Sequence, residues 1–323
     1  MTPVIAVVGA GPAGLAAATE AARAGAVVTV FEECSEPGGR LRYHVQPIAA
    51  REGYSAERPG QIADRLIAEA RAAGVEMRTD MVVAGCFPPR ELLVVRDGHA
   101  QRLTPDALTV ATGSSDLPYP FAGATFPGVF TARGLRVLMH QHRVRPGRRF
   151  AIIGGGEEAE ELAVDVMLAG GEVVWSGIAP APLLRVEGSD GVRGLVVGQE
   201  RHDVDVVAIA VGRQADPSLA TMAGVPLRFA GELGGLVPVV GARMESAISG
   251  VFVAGDAAGV GSVAAVIAEG RLAGVAAAAR LGLAGDDLVA AVRMAGGAEL
   301  EWRLSMRASL QAVAVQPFAS GVE

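Results

Sequence analysis

Short apolar runs that stop abruptly at a glycine or an acid set the pattern of this chain. Residues 4–8 (Val-Ile-Ala-Val-Val) carry no polar side chain and run straight into Gly9. A continuous apolar stretch of that length reads as a strand buried on both faces, as in a parallel sheet. Residues 15–23, almost all Ala, Leu and Glu, predict a helix. A second apolar strand, residues 27–31 (Val-Val-Thr-Val-Phe), closes at Glu32. The order then repeats: residues 150–153 (Phe-Ala-Ile-Ile) lead into Gly154-Gly155-Gly156, and a helix runs on through residues 160–168. That helix ends at Gly170-Gly171, and residues 172–175 (Glu-Val-Val-Trp) form the next strand. Strands alternating with helices predict α/β layers. Near the C-terminus, Leu300, Leu304 and the turn at residues 307–310 place apolar side chains at helical spacing.

The glycines make the first unit chemically specific. Gly9, Gly11 and Gly14 fall in GxGxxG spacing between strand and helix, and Glu32 lies twenty-one residues after Gly11. Strand, glycine turn, helix, strand and acid together form the fingerprint of a dinucleotide site. The first glycine permits the turn, the second lets backbone approach the diphosphate, and the third lets helix pack on strand. The helix N-terminus offers unpaired N–H groups and a positive dipole end, and Glu32 is placed to accept ribose hydroxyls.

A second turn follows 145 residues later, with Gly154, Gly156 and Ala159 in GxGxxA spacing. Two such turns suggest one flavin dinucleotide and one nicotinamide dinucleotide. The second is less complete. Glu157 and Glu158 stand where a diphosphate would sit, and the following strand closes in Trp175-Ser176-Gly177, with no acid or Arg pair to read a ribose. A vestigial second site is the alternative. Residues 133–149 hold six arginines and two histidines, His140 and His142. They read as a solvated helix face with a tail, the alternative being a basic face for a phosphate or an acidic partner.

The chain has 323 residues, enough for two domains, and half are apolar. A formal net charge of −7 argues against nucleic acid as a partner. No apolar run has the length of a membrane span, and no basic leader precedes the first strand. Cys34 and Cys86 form neither a CxxC nor a metal-binding spacing. A cytoplasmic location is the expectation. His140-Gln141-His142 lacks a third ligand, so no metal is expected.

Further segments carry a resemblance. Pro37-Gly38-Gly39-Arg40, Val110-Ala111-Thr112-Gly113, residues 208–213 (Ala-Ile-Ala-Val-Gly-Arg) and residues 251–256 (Val-Phe-Val-Ala-Gly-Asp) join the first glycine turn. In these the chain resembles the two-dinucleotide-binding-domain flavoproteins, which include thioredoxin reductase-like enzymes. The resemblance implies an α/β fold of two Rossmann-like domains, the FAD domain discontinuous and the NAD(P)-type domain inserted. Residues 1–120 and 245–285 would bind FAD, residues 121–244 would form the inserted domain, and residues 286–323 a C-terminal helical segment. It places FAD against Gly9, Ala10, Gly11, Pro12, Ala13, Gly14, Glu32 and Glu33, then Gly39, Arg40 and Val82. Ala111, Thr112, Gly113, Gly255 and Asp256 complete that set, Asp256 as the ribityl partner at the head of a helix over residues 262–281. NAD(P)H would use Gly154, Gly156, Glu157, Ala159 and Gly212.

Residues 126–135 and the Val144-Arg145-Pro146-Gly147-Arg148-Arg149 turn are similar to the FAD α subunits of opine oxidase, D-hydroxyproline dehydrogenase, hydrogen cyanide synthase and sarcosine oxidase-like complexes. That similarity implies a heteromeric amine or imino-acid dehydrogenase or oxidase in which this chain relays electrons from a catalytic partner. No cysteine follows Cys86. Dithiol exchange is therefore excluded, and any iron–sulfur cluster is expected on another polypeptide. The C-terminal stripe would pack on its own domain or dock that partner, and an oligomer is expected. Two alternatives remain: a self-sufficient NAD(P)H-dependent reductase donating to a ferredoxin, flavodoxin or small acceptor, and a non-catalytic nucleotide-binding scaffold. No acid–base cluster stands out. His44 and Tyr43, just after the Gly38-Gly39 turn, are the nearest candidates for contact with a flavin ring.

Overall fold

The computed structural model describes residues 2–46 and 57–312. Two compact units emerge, one made of Met1–Pro37, Leu66–Gly113 and Ala215–Glu323, the other of Gly38–Arg65 and Ser114–Gln214. Each is an α/β arrangement, as the alternating pattern predicts, and Rossmann-like, as the resemblance implies.

The first unit is built on five parallel strands in the order Val251–Val253, Ala107–Val110, Val4–Val8, Val27–Phe31 and Glu76–Arg78. Val7 pairs with Val30 on one side and Thr109 on the other, so the first strand is central. Ala107–Val110 is buried along its whole length, as a strand covered on both faces must be. The chain winds outward from Val4–Val8, then returns to its other side. Strand order therefore reverses beside Gly9, where open α/β sheets bind their ligands. An antiparallel meander of Val82–Phe87, Glu91–Arg96 and His99–Leu103 precedes the fourth strand of that winding.

Helix Pro12–Arg23 starts three residues before the predicted span, because Pro12 at its first turn has no N–H to lose and its fixed φ suits a helix start. It packs on helix Val263–Arg280, which Ser262 caps by accepting the Ala265 N–H at 3.1 Å. The two approach at backbone distance. A Cβ on Gly270 would strike the carbonyl of Ala13, and one on Gly274 the carbonyl of Ala17.

The second unit repeats the plan. Its parallel strands run Glu172–Gly177, Arg149–Gly154, Val206–Ala210 and Val129–Thr131, with helix Gly156–Leu168 after the second glycine turn. An antiparallel meander of Leu184–Gly188, Val192–Val197 and Glu200–His202 again precedes the strand that returns beside the first. Phe150, Ile152, Leu162, Val206 and Ala208 form one fully buried face of its core.

One expectation changes here and another is met with an addition. The basic stretch 133–149 is not uniformly solvated. It forms helix Ala132–Arg136 and a further turn, Val137–Gln141, and Arg136 is 1% exposed among acids. The C-terminal stripe does pack on its own unit, through Leu300 and Leu304 and with Met306 and Leu310 against Leu233 and Val237. Arg303 and Arg307 share that buried face, however, at 1% exposure each. An apolar count could not show them, because their partner, Glu269, comes from a different helix.

Gly274→Ala should lower the unfolding free energy by about 2 kcal/mol, the usual cost of overpacking a closed contact. A urea titration showing less than about 0.5 kcal/mol of change would contradict the helix–helix contact described.

Candidate functional site

The first glycine turn closes by backbone contact. Gly9 sits at φ +99°, and its N–H donates to the Phe31 carbonyl at 2.8 Å. A Cβ on Gly9 would run into the Ala111 carbonyl, and one on Gly14 into the carbonyl of Gly9. Turn, helix and the Ala111-Thr112-Gly113 segment therefore interlock only because two side chains are missing. Gly11 differs. A Cβ there would meet nothing within 4 Å, so the position opens outward. Gly11 caps the helix with no side-chain cap bond, and no acid lies in the first turn. That is a cradle for an anion.

Beside it lies a cavity of about 220 Å³. Among the expected residues, Gly9, Glu32, Glu33, Val82 and Thr112 line it. Glu32 is 7% exposed and already holds the loop: Oε2 accepts the Ala10 N–H at 2.7 Å and Oε1 the Cys34 N–H at 3.0 Å. Each carboxylate oxygen keeps a second lone pair, so the group can hold the turn and still receive ribose hydroxyls. Gly255 abuts the start of the first helix, where its Cβ would lie 2.5 Å from that of Ala13. The adjacent Asp256 accepts the Gly261 N–H at 3.0 Å. Pro12, Ala13 and Gly113 stand on the same turn-and-strand ends. These residues fit a dinucleotide: an open glycine, uncapped N–H groups, a buried acid and an adjoining cavity.

Sequence reasoning missed part of the wall. Met81, Asp216, Ser218 and Met222 also line the cavity. Asp216 is held by backbone, its N–H donating to the Gly113 carbonyl at 3.1 Å and its carbonyl accepting the Thr112 hydroxyl at 3.2 Å. Only the fold brings residues 104 positions apart into register here.

Gly39 and Arg40 belong to the second unit, in the turn Gly39–Arg42. In that unit Gly154 touches strand backbone, since a Cβ would strike the Ala210 carbonyl, while Gly155 and Gly156 are open. Ala159 is buried and Glu157 exposed. Gly212, at φ +116°, follows the strand that flanks the turn. Glu158 lies 3.5 Å from the Arg136 guanidinium, which also reaches Asp165 at 2.8 Å and Glu161 at 3.3 Å. Burial would push Asp165 up, but hydrogen bonds from Arg136 and Gln46, with the His140 ring 3.5 Å away, hold its carboxyl below the usual range. This cluster anchors residues 44–46: the Gln46 amide donates to Asp165 at 3.1 Å, and His44 lies 4.0 Å from Glu161. Burial, then the positive charges of Arg40, Arg136 and Arg213, push His44 down to about 2. His44 is therefore neutral and no proton donor near pH 7. Burial raises the Tyr43 phenol, so it too keeps its proton.

Neither Cys34 nor Cys86 is in a disulfide among the described residues. Burial pushes Cys86 up to about 11, which removes it as a nucleophile. Among the described residues, no group of three or more His, Cys, Asp or Glu is arranged to hold a metal ion, and no helix is long and apolar enough to cross a membrane.

Gly11→Val should leave the urea midpoint nearly unchanged, since its side chain enters open space, while weakening flavin dinucleotide binding beyond detection. Gly9→Val should instead destabilise the fold, because it meets carbonyl and a positive φ. A flavin-replete Gly11→Val protein would refute the cradle. His44 gives a pH prediction. Its native pKa is depressed, so as pH falls below about 6.5 the unfolded chain gains a proton that the native chain refuses. Stability should then fall by about 1.4 kcal/mol per pH unit from this group, and His44→Gln should flatten that acid limb. An unaltered limb would show that His44 titrates normally.

Residues 3–190 match the pyridine nucleotide-disulphide oxidoreductase family. The chain is 27% identical to an opine oxidase subunit of Rhizobium meliloti (strain 1021), over 88% of this chain and 72% of that protein. It is 30% identical to the alpha subunit of sarcosine oxidase from the same strain, over 86% of this chain and 30% of that one. Among solved structures, L-proline dehydrogenase from P. horikoshii superposes with a TM-score of 0.79 at 24% identity, covering 95% of this chain and 59% of that chain. The chain thus spans between 30% and 72% of the length of these proteins. With the fold and the glycine cradle, the family match leads to one conclusion: this chain belongs to the pyridine nucleotide-disulphide oxidoreductase family and is an FAD-dependent oxidoreductase.

Proposed function

We propose that this chain is the FAD-binding subunit of a heteromeric amine or imino-acid dehydrogenase or oxidase, relaying electrons from substrate oxidised on a partner. The observation that carries this reading is the contrast between the two glycine turns. The first offers uncapped N–H groups, no first-turn acid and an adjoining cavity. The second opens its helix with Glu157 and Glu158, acids that suit the helix dipole and compete with an incoming diphosphate. The names of the relatives point the same way, since the opine oxidase and sarcosine oxidase chains are both subunits.

Bound FAD would supply hydride acceptance and onward electron transfer. The chain's own contribution is binding and orientation. Gly9, Gly11 and Gly14 shape the diphosphate cradle, Glu32 fixes the loop and reads ribose, and Asp256 offers a carboxylate to a polyhydroxyl chain. His44, whose pKa burial holds far below neutrality, is too weak a base to take a proton from an amine, and Tyr43 keeps its own proton. The partner is expected to bind the amine or imino acid, and an iron–sulfur group, if the assembly has one, belongs there.

A self-sufficient NAD(P)H-dependent reductase is the second reading. It is favoured by Gly155 and Gly156, whose open positions leave the second turn able to admit a ligand backbone. Anaerobic addition of NADH, then NADPH, to the purified chain separates the two. A yellow spectrum that persists, with bleaching by an amine or imino acid only in the co-purified assembly, is the expected outcome. Bleaching within seconds by either nicotinamide alone would replace the subunit reading with the reductase.

A further inference from the structure

Glu269 lies in the middle of helix Val263–Arg280 and is fully buried. One of its oxygens accepts the Gly255 N–H at 3.0 Å. The other receives both Arg303 and Arg307, each at 2.6 Å. Those arginines come from the C-terminal helix Gly297–Ala312, outside the 3–190 span that matches the family. Neither stops at Glu269. Arg303 also donates to the carbonyls of Gly259 at 2.5 Å and Val260 at 2.9 Å, and Arg307 to the carbonyl of Ala258 at 2.5 Å. Five hydrogen bonds from two guanidinium groups and one from Gly255 thus pin the turn that carries Asp256. The same turn presses on Ala13 at the start of the first helix.

A purely structural role accounts poorly for this arrangement. Burying three charges costs more solvation than an apolar helix face would, and a buried ion cluster is weak evidence for stability. Two guanidinium groups against one carboxylate also leave a positive charge in excess. Beyond Glu269, Asp256 and Glu299 are the carboxylates whose charge acts on Arg303. The cluster is thus tied to Asp256 by backbone and by charge.

We propose that Arg303 and Arg307 are positioning residues for the flavin: through Glu269 and the carbonyls of Ala258, Gly259 and Val260 they hold the Gly255–Asp256 turn in its binding geometry. The C-terminal helix is then part of the cofactor site, though it lies far along the chain from either glycine turn. This rests on FAD binding at the first glycine turn.

The full-length chain tests it with two kinds of variant and two readouts, the urea midpoint of the flavin-free protein and the FAD dissociation constant from quenching of flavin fluorescence. The variant Glu269→Leu/Arg303→Leu/Arg307→Met replaces the cluster by apolar side chains, removing the buried charges but also the partners of the Gly255 N–H and of the Ala258, Gly259 and Val260 carbonyls. It should unfold at a lower urea concentration yet remain folded in buffer, bind FAD about tenfold more weakly, and alter the visible circular dichroism of the bound flavin. Arg303→Lys keeps the charge for Glu269 but cannot span both carbonyls with one ammonium. It should weaken FAD about fivefold, and Arg307→Lys likewise. Affinity within about twofold of the parent in a folded apolar variant overturns the proposal, leaving the cluster a helix anchor. If the apolar variant does not fold, the two lysine variants decide by the same twofold criterion. A parent chain that binds no FAD, or a Gly11→Val chain that binds it as tightly as the parent, refutes the cofactor site itself rather than the role of the arginines.

Discussion

Backbone meeting backbone where no side chain intervenes is the constraint on which the first unit depends. Gly9 lies against the Ala111 carbonyl, Gly14 against the Gly9 carbonyl, and Gly270 and Gly274 against the carbonyls of Ala13 and Ala17. These contacts draw the first helix onto the sheet and onto helix Val263–Arg280. They fix the helix N-terminus at the reversal of strand order, where its N–H groups face outward. A methyl group at any of them would move the element that carries the anion cradle. Gly11 stands among these positions yet is open, so geometry separates the glycines that build the turn from the one that leaves room for a ligand.

Buried ions do a related task in both units. Glu32 ties the Ala10 and Cys34 N–H groups, Glu269 gathers Gly255 with two arginines, and Asp165 gathers Arg136 with Gln46. Each carboxylate converts a loop into a defined position by accepting several donors at once. Leaving one such charge unpaired would cost about 3–5 kcal/mol, so the partners cannot drift independently. The loops held this way carry the expected contacts of the first site and the Tyr43-His44 segment of the second unit.

The two glycine turns share a plan and differ in chemistry. Strand, turn, helix, strand, antiparallel meander and returning strand occur in both units. The first has an acid-free helix start, a buried acid at the end of the next strand and an adjoining cavity. In the second, the helix opens with Glu157, which is exposed, and Glu158, which pairs with Arg136. Family membership assigns the flavin chemistry, and this asymmetry shapes the reading of a subunit served by a partner.

Much was legible along the chain because it is encoded locally. Apolar runs of five residues, glycine spacing and Glu32 are fixed within about thirty residues, and the period of a strand or helix is read from neighbours. The strands at residues 4–8 and 27–31, the two turns and the Ser262-capped helix appear where that pattern predicts them. Met81 and Asp216 in the cavity wall, buried Arg136, and the Glu269–Arg303–Arg307 cluster were not legible. A lone Arg at helical spacing looks like a solvated charge, and nothing near it in sequence reveals a carboxylate 29, 34 or 38 positions away. The sequence determined the sheets, the glycine cradle and the class of ligand, because these follow from local periodicity and backbone freedom. The tertiary structure alone decided which charges are buried together and which distant segments complete the site, because desolvated ion pairs exist only once packing has excluded water from both partners.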